Sequence, residues 1–398
     1  MTKIYLDYAA SAPVRPQIKK KILPFLSENF GNPSSIHSFG RIARKAIDES
    51  RNQVANFLNC EPSEIIFTAG GTEADNLALR GISNFQFPIS NSKPHIITTK
   101  IEHHAVLHTC QVLEKEKVAE VTYLDVDENG QINLNDLKKA IKPNTILVSI
   151  MYANNETGVI LPIREIGKMI EKENRLRKNQ IYFHTDAVQA APYLNCDTKY
   201  LHVHLLSISG HKLGTPKGIG ALFIKKGVPI KPQITGGEHE YGKRAGTENV
   251  LGIVALGEAV KLANDKKEID KIKKLRDYLE NGIIAKISDV EINGNTKNRL
   301  PNITNLNFKY VEGESILLNL DLKGVAASSG SACTSGSLEP SHVIMAMYRN
   351  PLRAHGSIRF SLGWDSKKKE IDYVLKILPE IIKKLRKISP FKKGVNNA

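Results

Sequence analysis

Leu205-Leu206-Ser207-Ile208, followed by Ser209-Gly210-His211-Lys212, is the stretch on which the fold turns. Three of the first four residues are apolar, without clean alternation, as expected of a strand covered on both faces of a parallel sheet. Small turn residues then place a lysine just beyond the strand's carboxyl end. Similar runs recur at Glu64-Ile65-Ile66-Phe67-Thr68, His95-Ile96-Ile97-Thr98-Thr99 and Thr145-Ile146-Leu147-Val148-Ser149-Ile150, then at Ile181-Tyr182-Phe183-His184 and Ala221-Leu222-Phe223-Ile224. The segments between them read mostly as helices, Ala105 to Lys117 and Ile163 to Lys178 among them. Strands alternating with helices predict an α/β fold with an open, largely parallel sheet. A long charged helix pattern from about Leu251 to Leu279 follows, and mixed strands and helices then run to Lys387. We place a domain boundary inside that helix, near residue 262.

The composition is that of an ordinary globular protein, with 41% hydrophobic and 24% charged residues in 398. The four cysteines, Cys60, Cys110, Cys196 and Cys333, lie far apart, with no CxxC pair and no His/Cys cluster at metal-ligand spacing. That predicts neither a disulfide framework nor a metal site, and suits a reducing compartment. The apolar run at Ile4 to Leu6 is too short for a signal peptide, and no stretch is long enough to span a membrane. The expected location is the cytoplasm. The net charge of +15 is spread over short lysine runs such as Lys19-Lys20-Lys21 and Lys383-Lys384, each beside apolar residues at helical spacing. These read as solvated helix faces, so no stable nucleic-acid binding is expected.

In an open α/β sheet, ligands bind beyond the carboxyl ends of the strands, so the residues just after each strand carry the chemistry. Lys212 is placed to form a Schiff base with an aldehyde cofactor. Asp186, in Thr185-Asp186-Ala187-Val188-Gln189, follows the preceding strand and can pair with a pyridinium nitrogen. Ala69-Gly70-Gly71-Thr72 follows the strand at Glu64, where a helix start offers free N–H groups to a phosphate. Neither GxGxxG nor GxxxxGK[ST] occurs, and the short Gly-Gly-Thr turn suits one phosphate better than a pyrophosphate. A further stretch stands apart: Ser328-Ser329-Gly330-Ser331-Ala332-Cys333-Thr334-Ser335-Gly336-Ser337 surrounds one thiol with small residues. No large side chain there could anchor it in a core, so it reads as a segment built to move and Cys333 as a reagent. Cys60, Cys110 and Cys196 read as structural.

These residues together resemble a cysteine desulfurase of the IscS/NifS type, in the class V group of fold-type I pyridoxal-phosphate enzymes. The resemblance runs from Tyr5-Leu6-Asp7-Tyr8-Ala9-Ala10 to Ser389-Pro390. Its most specific motifs are Ser209-Gly210-His211-Lys212, Arg244-Ala245-Gly246-Thr247 and the run Ser328 to Ser337. It implies a homodimer with a large, mostly parallel sheet domain that binds the cofactor (residues 16–261). A smaller α+β domain, residues 1–15 and 262–398, would carry the Cys333 loop.

The resemblance further implies that Lys212 holds pyridoxal 5'-phosphate, that Asp186 pairs with its ring nitrogen and that Gln189 bonds its ring oxygen. His103 would stack on the ring and move protons, and motif position favours it over His104. Gly71, Thr72, Ser209 and His211 would cradle the phosphate, and Thr247 would reach the phosphate of the other subunit. Asn155 would touch both cofactor and substrate, and Arg359 would hold the substrate carboxylate through its planar fork. L-Cysteine would yield L-alanine and leave its sulfur as a persulfide on Cys333, with His103 helping to ionise the thiol.

The sulfur would then pass to an acceptor protein, either an iron–sulfur scaffold or a tRNA-thiolation enzyme. Relatives serving the main scaffold carry a longer aromatic tail than the short lysine-containing one after Pro390, which leaves the acceptor open. Two alternatives stand beside this reading. One is another class V pyridoxal enzyme, a selenocysteine lyase or aminotransferase with an incidental Cys333. The other is a non-catalytic basic binding protein, which would have had no need to keep Lys212 and Asp186.

Overall fold

The computed structural model describes residues 3–84, 93–329 and 340–390. Seven strands make the large sheet: β1 (Ile65–Thr68), β2 (His95–Thr99), β3 (Glu120–Leu124), β4 (Thr145–Ser149), β5 (Tyr182–Asp186), β6 (Leu205–Ser209) and β7 (Gly220–Ile224). Their spatial order is β1-β7-β6-β5-β4-β2-β3. The neighbours from β6 to β3 run parallel, while β7 is antiparallel to both β6 and β1.

Every residue of β1, β2, β4, β5, β6 and β7 is buried, which accounts for their unalternating apolar sequences. Successive side chains still point to opposite faces. Ile66, Ile96, Leu147, Leu205 and Leu222 pack under helices α2 (Gly71–Ser83) and α3 (His104–Lys115). Phe67, Ile97, Val148, Phe183, Leu206 and Phe223 share the opposite core with α1 (Ser38–Leu58), α4 (Ile163–Asn174) and α5 (Val250–Lys261).

Two features differ from the sequence expectations. β3 has no counterpart among the expected strands. It is an edge strand whose Glu120 is exposed and whose next three residues are half-buried, so it lacks the continuous apolar run of its neighbours. The long charged helix is two: α5 stops at Lys261 and α6 begins at Lys266, running to Lys286. Asn264 takes a left-handed φ of 60°. The carboxylate of Asp265 then caps α6 by accepting from the N–H groups of Lys267 and Glu268 at 2.8 and 3.1 Å.

A second core gathers around the antiparallel sheet β10-β9-β8, made of β8 (Val290–Ile292), β9 (Ile303–Phe308) and β10 (Ser357–Ser361). Leu279 of α6, Phe308, Phe360 and Leu378 of α7 (Lys368–Ile388) pack there, together with Ile4 and Leu6 from the start of the chain. From this core the N-terminal arm crosses to the large sheet. Ala9 donates its N–H to Ser361 Oγ at 2.9 Å, and Ala12 donates to the carbonyl of His211 at 3.0 Å. Among the described residues, no helix is long and apolar enough to cross a membrane.

His184 stitches the middle of the sheet, its ring nitrogens 2.8 Å from Ser149 Oγ and 2.9 Å from Ser207 Oγ. Burial pushes its pKa down to about 3, so the ring is neutral when folded and protonates readily when unfolded. The unfolded chain therefore binds the extra proton, and the stability from this group is present above about pH 6.5 and lost as pH falls toward 3. Urea titrations across that range should give His184→Asn a flatter pH profile than the parent, by about 1.4 kcal/mol per pH unit.

Candidate active site

One cavity of about 370 Å³ opens where the carboxyl ends of β5 and β6, the start of α2, the N-terminal arm and β10 converge. Ten of the residues expected from the sequence line it: Gly71, Thr72, His103, Asn155, Asp186, Gln189, Ser209, His211, Lys212 and Arg359. Lys212 ends the short 3-10 turn Gly210–Lys212 inside the β6–β7 hairpin. Its ammonium donates to the carbonyls of Ala9 and Ala10 at 2.6 and 2.8 Å. The adjacent parallel strand β5 brings Asp186 to the same wall. One Asp186 oxygen accepts from the Val188 N–H at 2.8 Å. Burial raises this carboxyl to about 6, against the opposing pull of the Val188 N–H and the Lys212 charge.

At the other end of the cavity, α2 begins at Gly71. A Cβ there would lie 2.7 Å from Val188 Cγ2 and 3.4 Å from Ser209 Cβ, so only glycine keeps the floor open. Glu73 fixes this turn by accepting from the Ala69 N–H at 2.9 Å and from Arg244 Nε at 2.9 Å. His211 is held at about 4 by burial and then by the Lys212 charge, which makes it a neutral ring.

His103 caps α3, its Nδ1 accepting from the Ala105 N–H at 3.1 Å. Burial first, and the charge of Lys212 next, push its pKa down to about 4. His104 does not line the cavity. Its ring stacks on His108 with centroids 4.5 Å apart and lies 4.6 Å from that of His342. Arg359 is 2% exposed. It donates to the Asn155 carbonyl at 2.8 Å and to Asp7 Oδ1 at 2.9 Å, while its Nε has no partner. Gln189 donates to the Ala9 carbonyl at 2.8 Å.

Thr247 is exposed and does not line this cavity. Cys333 lies outside the described residues. Burial raises the thiols of Cys60 and Cys196 to about 12 and that of Cys110 further still, which leaves all three inert.

Sequence reading gave no role to Asp7, to the Ala9 and Ala10 carbonyls, to Asp75 or to Glu102. The carbonyls have no side-chain signature. Asp75 stands one turn into α2 and lines the cavity, with an Oδ1 that has no partner. Glu102 accepts at Oε1 from Thr99 and Met151, its Oε2 is unpartnered, and burial raises it to about 8.

The donor set fits pyridoxal phosphate: an amine at one strand end, an acid at the next, and a helix start with Gly71, Thr72, Ser209 and His211 for one phosphate. The glycine-only floor and the unpartnered Arg359 Nε mark space and valence for the cofactor and a carboxylate substrate.

The aminotransferase class-V family model matches residues 4–374. The protein of Dictyoglomus turgidum named cysteine desulfurase IscS is 52% identical over 392 residues, covering 98% of this chain and 97% of that protein. A solved NifS-like protein superposes with a TM-score of 0.88 at 34% identity, covering 96% of this chain and all of that one. A second structure, SspA in complex with cysteine, has a TM-score of 0.79 at 35% identity over 91% of this chain and 99% of its own. With sequence, fold and donor set in agreement, the chain belongs to the class-V aminotransferase family of pyridoxal-phosphate enzymes, on the branch of the cysteine desulfurases.

Proposed function

We infer that the protein removes sulfur from L-cysteine, leaving L-alanine and a persulfide on Cys333. The observation that carries this reading is the single cavity that joins Lys212, Asp186 and Arg359. Pyridoxal phosphate held by Lys212 supplies an electron sink for the charge left when the substrate's α-proton is removed. Asp186 would face its ring nitrogen, and Gly71, Thr72, Ser209 and His211 would hold its phosphate. Gln189 would donate to the ring oxygen.

Arg359, with the Asn155 side chain, binds the substrate carboxylate. The Lys212 amine, once displaced, takes the α-proton. His103 is neutral at pH 7 and accepts the thiol proton of Cys333. The Cys333 thiolate attacks the substrate sulfur and the S–S bond forms as the C–S bond breaks. The carbon keeps that electron pair and takes a proton, becoming the methyl of alanine.

We propose a homodimer. Leu23, Leu26, Phe30, Ile36, Phe39 and Ile42 form an exposed apolar face, with the Phe30 and Phe39 rings stacked 5.4 Å apart. Arg44, on the same helix as Phe39 and Ile42, pairs at 2.9 Å with Glu248, next to Thr247. A second copy on this face therefore stands beside the loop that would carry Thr247 into its site.

We take residues 16–261 as the cofactor-binding domain and 1–15 with 262–398 as the smaller one; the packing of Ile4 and Leu6 into the second core supports that division. The cysteines, widely separated in sequence and unpaired among the described residues, support a cytoplasmic setting. The persulfide passes to an acceptor protein of iron–sulfur assembly or tRNA thiolation.

Purified protein given L-cysteine should show a visible cofactor band, alanine and enzyme-bound sulfane sulfur, and Cys333→Ala should keep the band and lose the persulfide. A Cys333→Ala variant that makes alanine at the parent rate would point instead to a lyase or transaminase. Arg359→Lys removes the bidentate fork and should raise KM for cysteine by about 10-fold or more, corresponding to about 1.4 kcal/mol or more, in steady-state assays. Phe30→Glu combined with Ile36→Glu should sediment as a monomer and retain less cofactor than the parent.

A further inference from the structure

Three polar side chains stand side by side on the face of the large sheet covered by α2. Ser149 ends β4, His184 lies in β5 opposite it, and Ser207 lies in β6 opposite Asp186. The contacts of His184 with both hydroxyls make a continuous row. At its end, the Ser207 hydroxyl reaches the carboxyl of Asp75, which descends from α2. All four side chains are sealed from solvent, Asp75 being 1% exposed. An acid at the end of such a row needs a counter-charge or a proton.

Among the described residues, none supplies a counter-charge. Asp75 Oδ1 has no hydrogen-bond partner. The basic group paired with it is His184, 3.6 Å away, whose two nitrogens are already engaged by hydroxyls and whose burial keeps it neutral. The other groups facing Asp75 are acids: Asp186, on the wall of the same cavity, and Glu102. Asp186 has what Asp75 lacks, a backbone N–H from Val188 and the charge of Lys212. Two neighbouring carboxylates in a low-dielectric site do not both ionise, and the proton goes to Asp75, which has a single hydroxyl where Asp186 has a backbone N–H and a cation.

We infer that Asp75 is carried as a neutral carboxylic acid beneath the cofactor site, leaving Asp186 as the one ionised carboxylate that faces the ring nitrogen. This rests on the role of Asp186 proposed above. Asp75 is thus a positioning residue: it keeps one negative charge, rather than two, against the single positive charge of the protonated ring. The serine–histidine row can serve either form. The acid donates to Ser207, which donates to one nitrogen of His184, whose other nitrogen donates to Ser149; the row reverses if the proton leaves.

The test is the infrared difference spectrum of the holoenzyme near neutral pH, parent against Asp75→Asn and against Ser207→Ala. The expected result is a carbonyl stretch of a protonated carboxylic acid that vanishes in Asp75→Asn and shifts in Ser207→Ala. The second variant leaves the acid in place should the first fold poorly. The pH midpoint of the bound cofactor's visible absorbance should be unchanged in Asp75→Asn, since no charge is lost. Absence of an Asp75-dependent carboxylic-acid band, or a fall of that midpoint in Asp75→Asn, overturns the inference. Failure of the underlying site reading would show separately, as a parent protein with no visible cofactor band.

Discussion

The pairing of Arg359 with Asp7 and the Asn155 carbonyl is the constraint on which the rest of the site depends. Arg359 belongs to the small sheet, Asp7 to the N-terminal arm and Asn155 to the large body, and the guanidinium is almost fully buried. A buried cation is costly unless its donors are met, so these three parts must come together or leave it uncompensated. Once they do, the arm is fixed along its length. Its Ala9 and Ala10 carbonyls then meet Lys212 and Gln189. The cavity is the space left where two independent apolar cores are sutured by one strand of polar backbone.

Its electrostatics follow from the same burial. The acids of the cavity wall and beneath it are raised, and the histidines around it are lowered, because charge is expensive there in either sign. The result is a site of mainly neutral groups around one amine, one guanidinium and the carboxylates of Asp186 and Asp7.

Much of this was legible in the sequence because fully buried parallel strands spell themselves as apolar runs, and the residues after them are where ligands bind. Lys212, Asp186 and Gly71 were read that way, and the structure gathers them. β3 escaped because an edge strand mixes polar and apolar positions. The α5–α6 break escaped because the charged periodicity continues across it, although Asn264-Asp265 carries the left-handed turn and cap that end one helix and start another. His103 and His104 are adjacent in sequence and were separable by motif position alone. In the fold, one caps α3 at the cavity while the other turns to His108 and His342. The Ala9 and Ala10 carbonyls and the Asp75 row were illegible for a different reason: they depend on which elements meet, which no local pattern records.

The arm also has a meaning in the order of synthesis. Ala9 finds Lys212 203 residues later, and finds the hydroxyl of Ser361 352 residues later. This segment is thus fully seated only once residues far downstream exist. A ribosome-bound chain can complete the large sheet and display Lys212 before Arg359 has been made. Its cavity lacks the guanidinium of Arg359 until β10 has been made. A chain cut short before β10 would therefore offer the cofactor a cavity without its Arg359 wall.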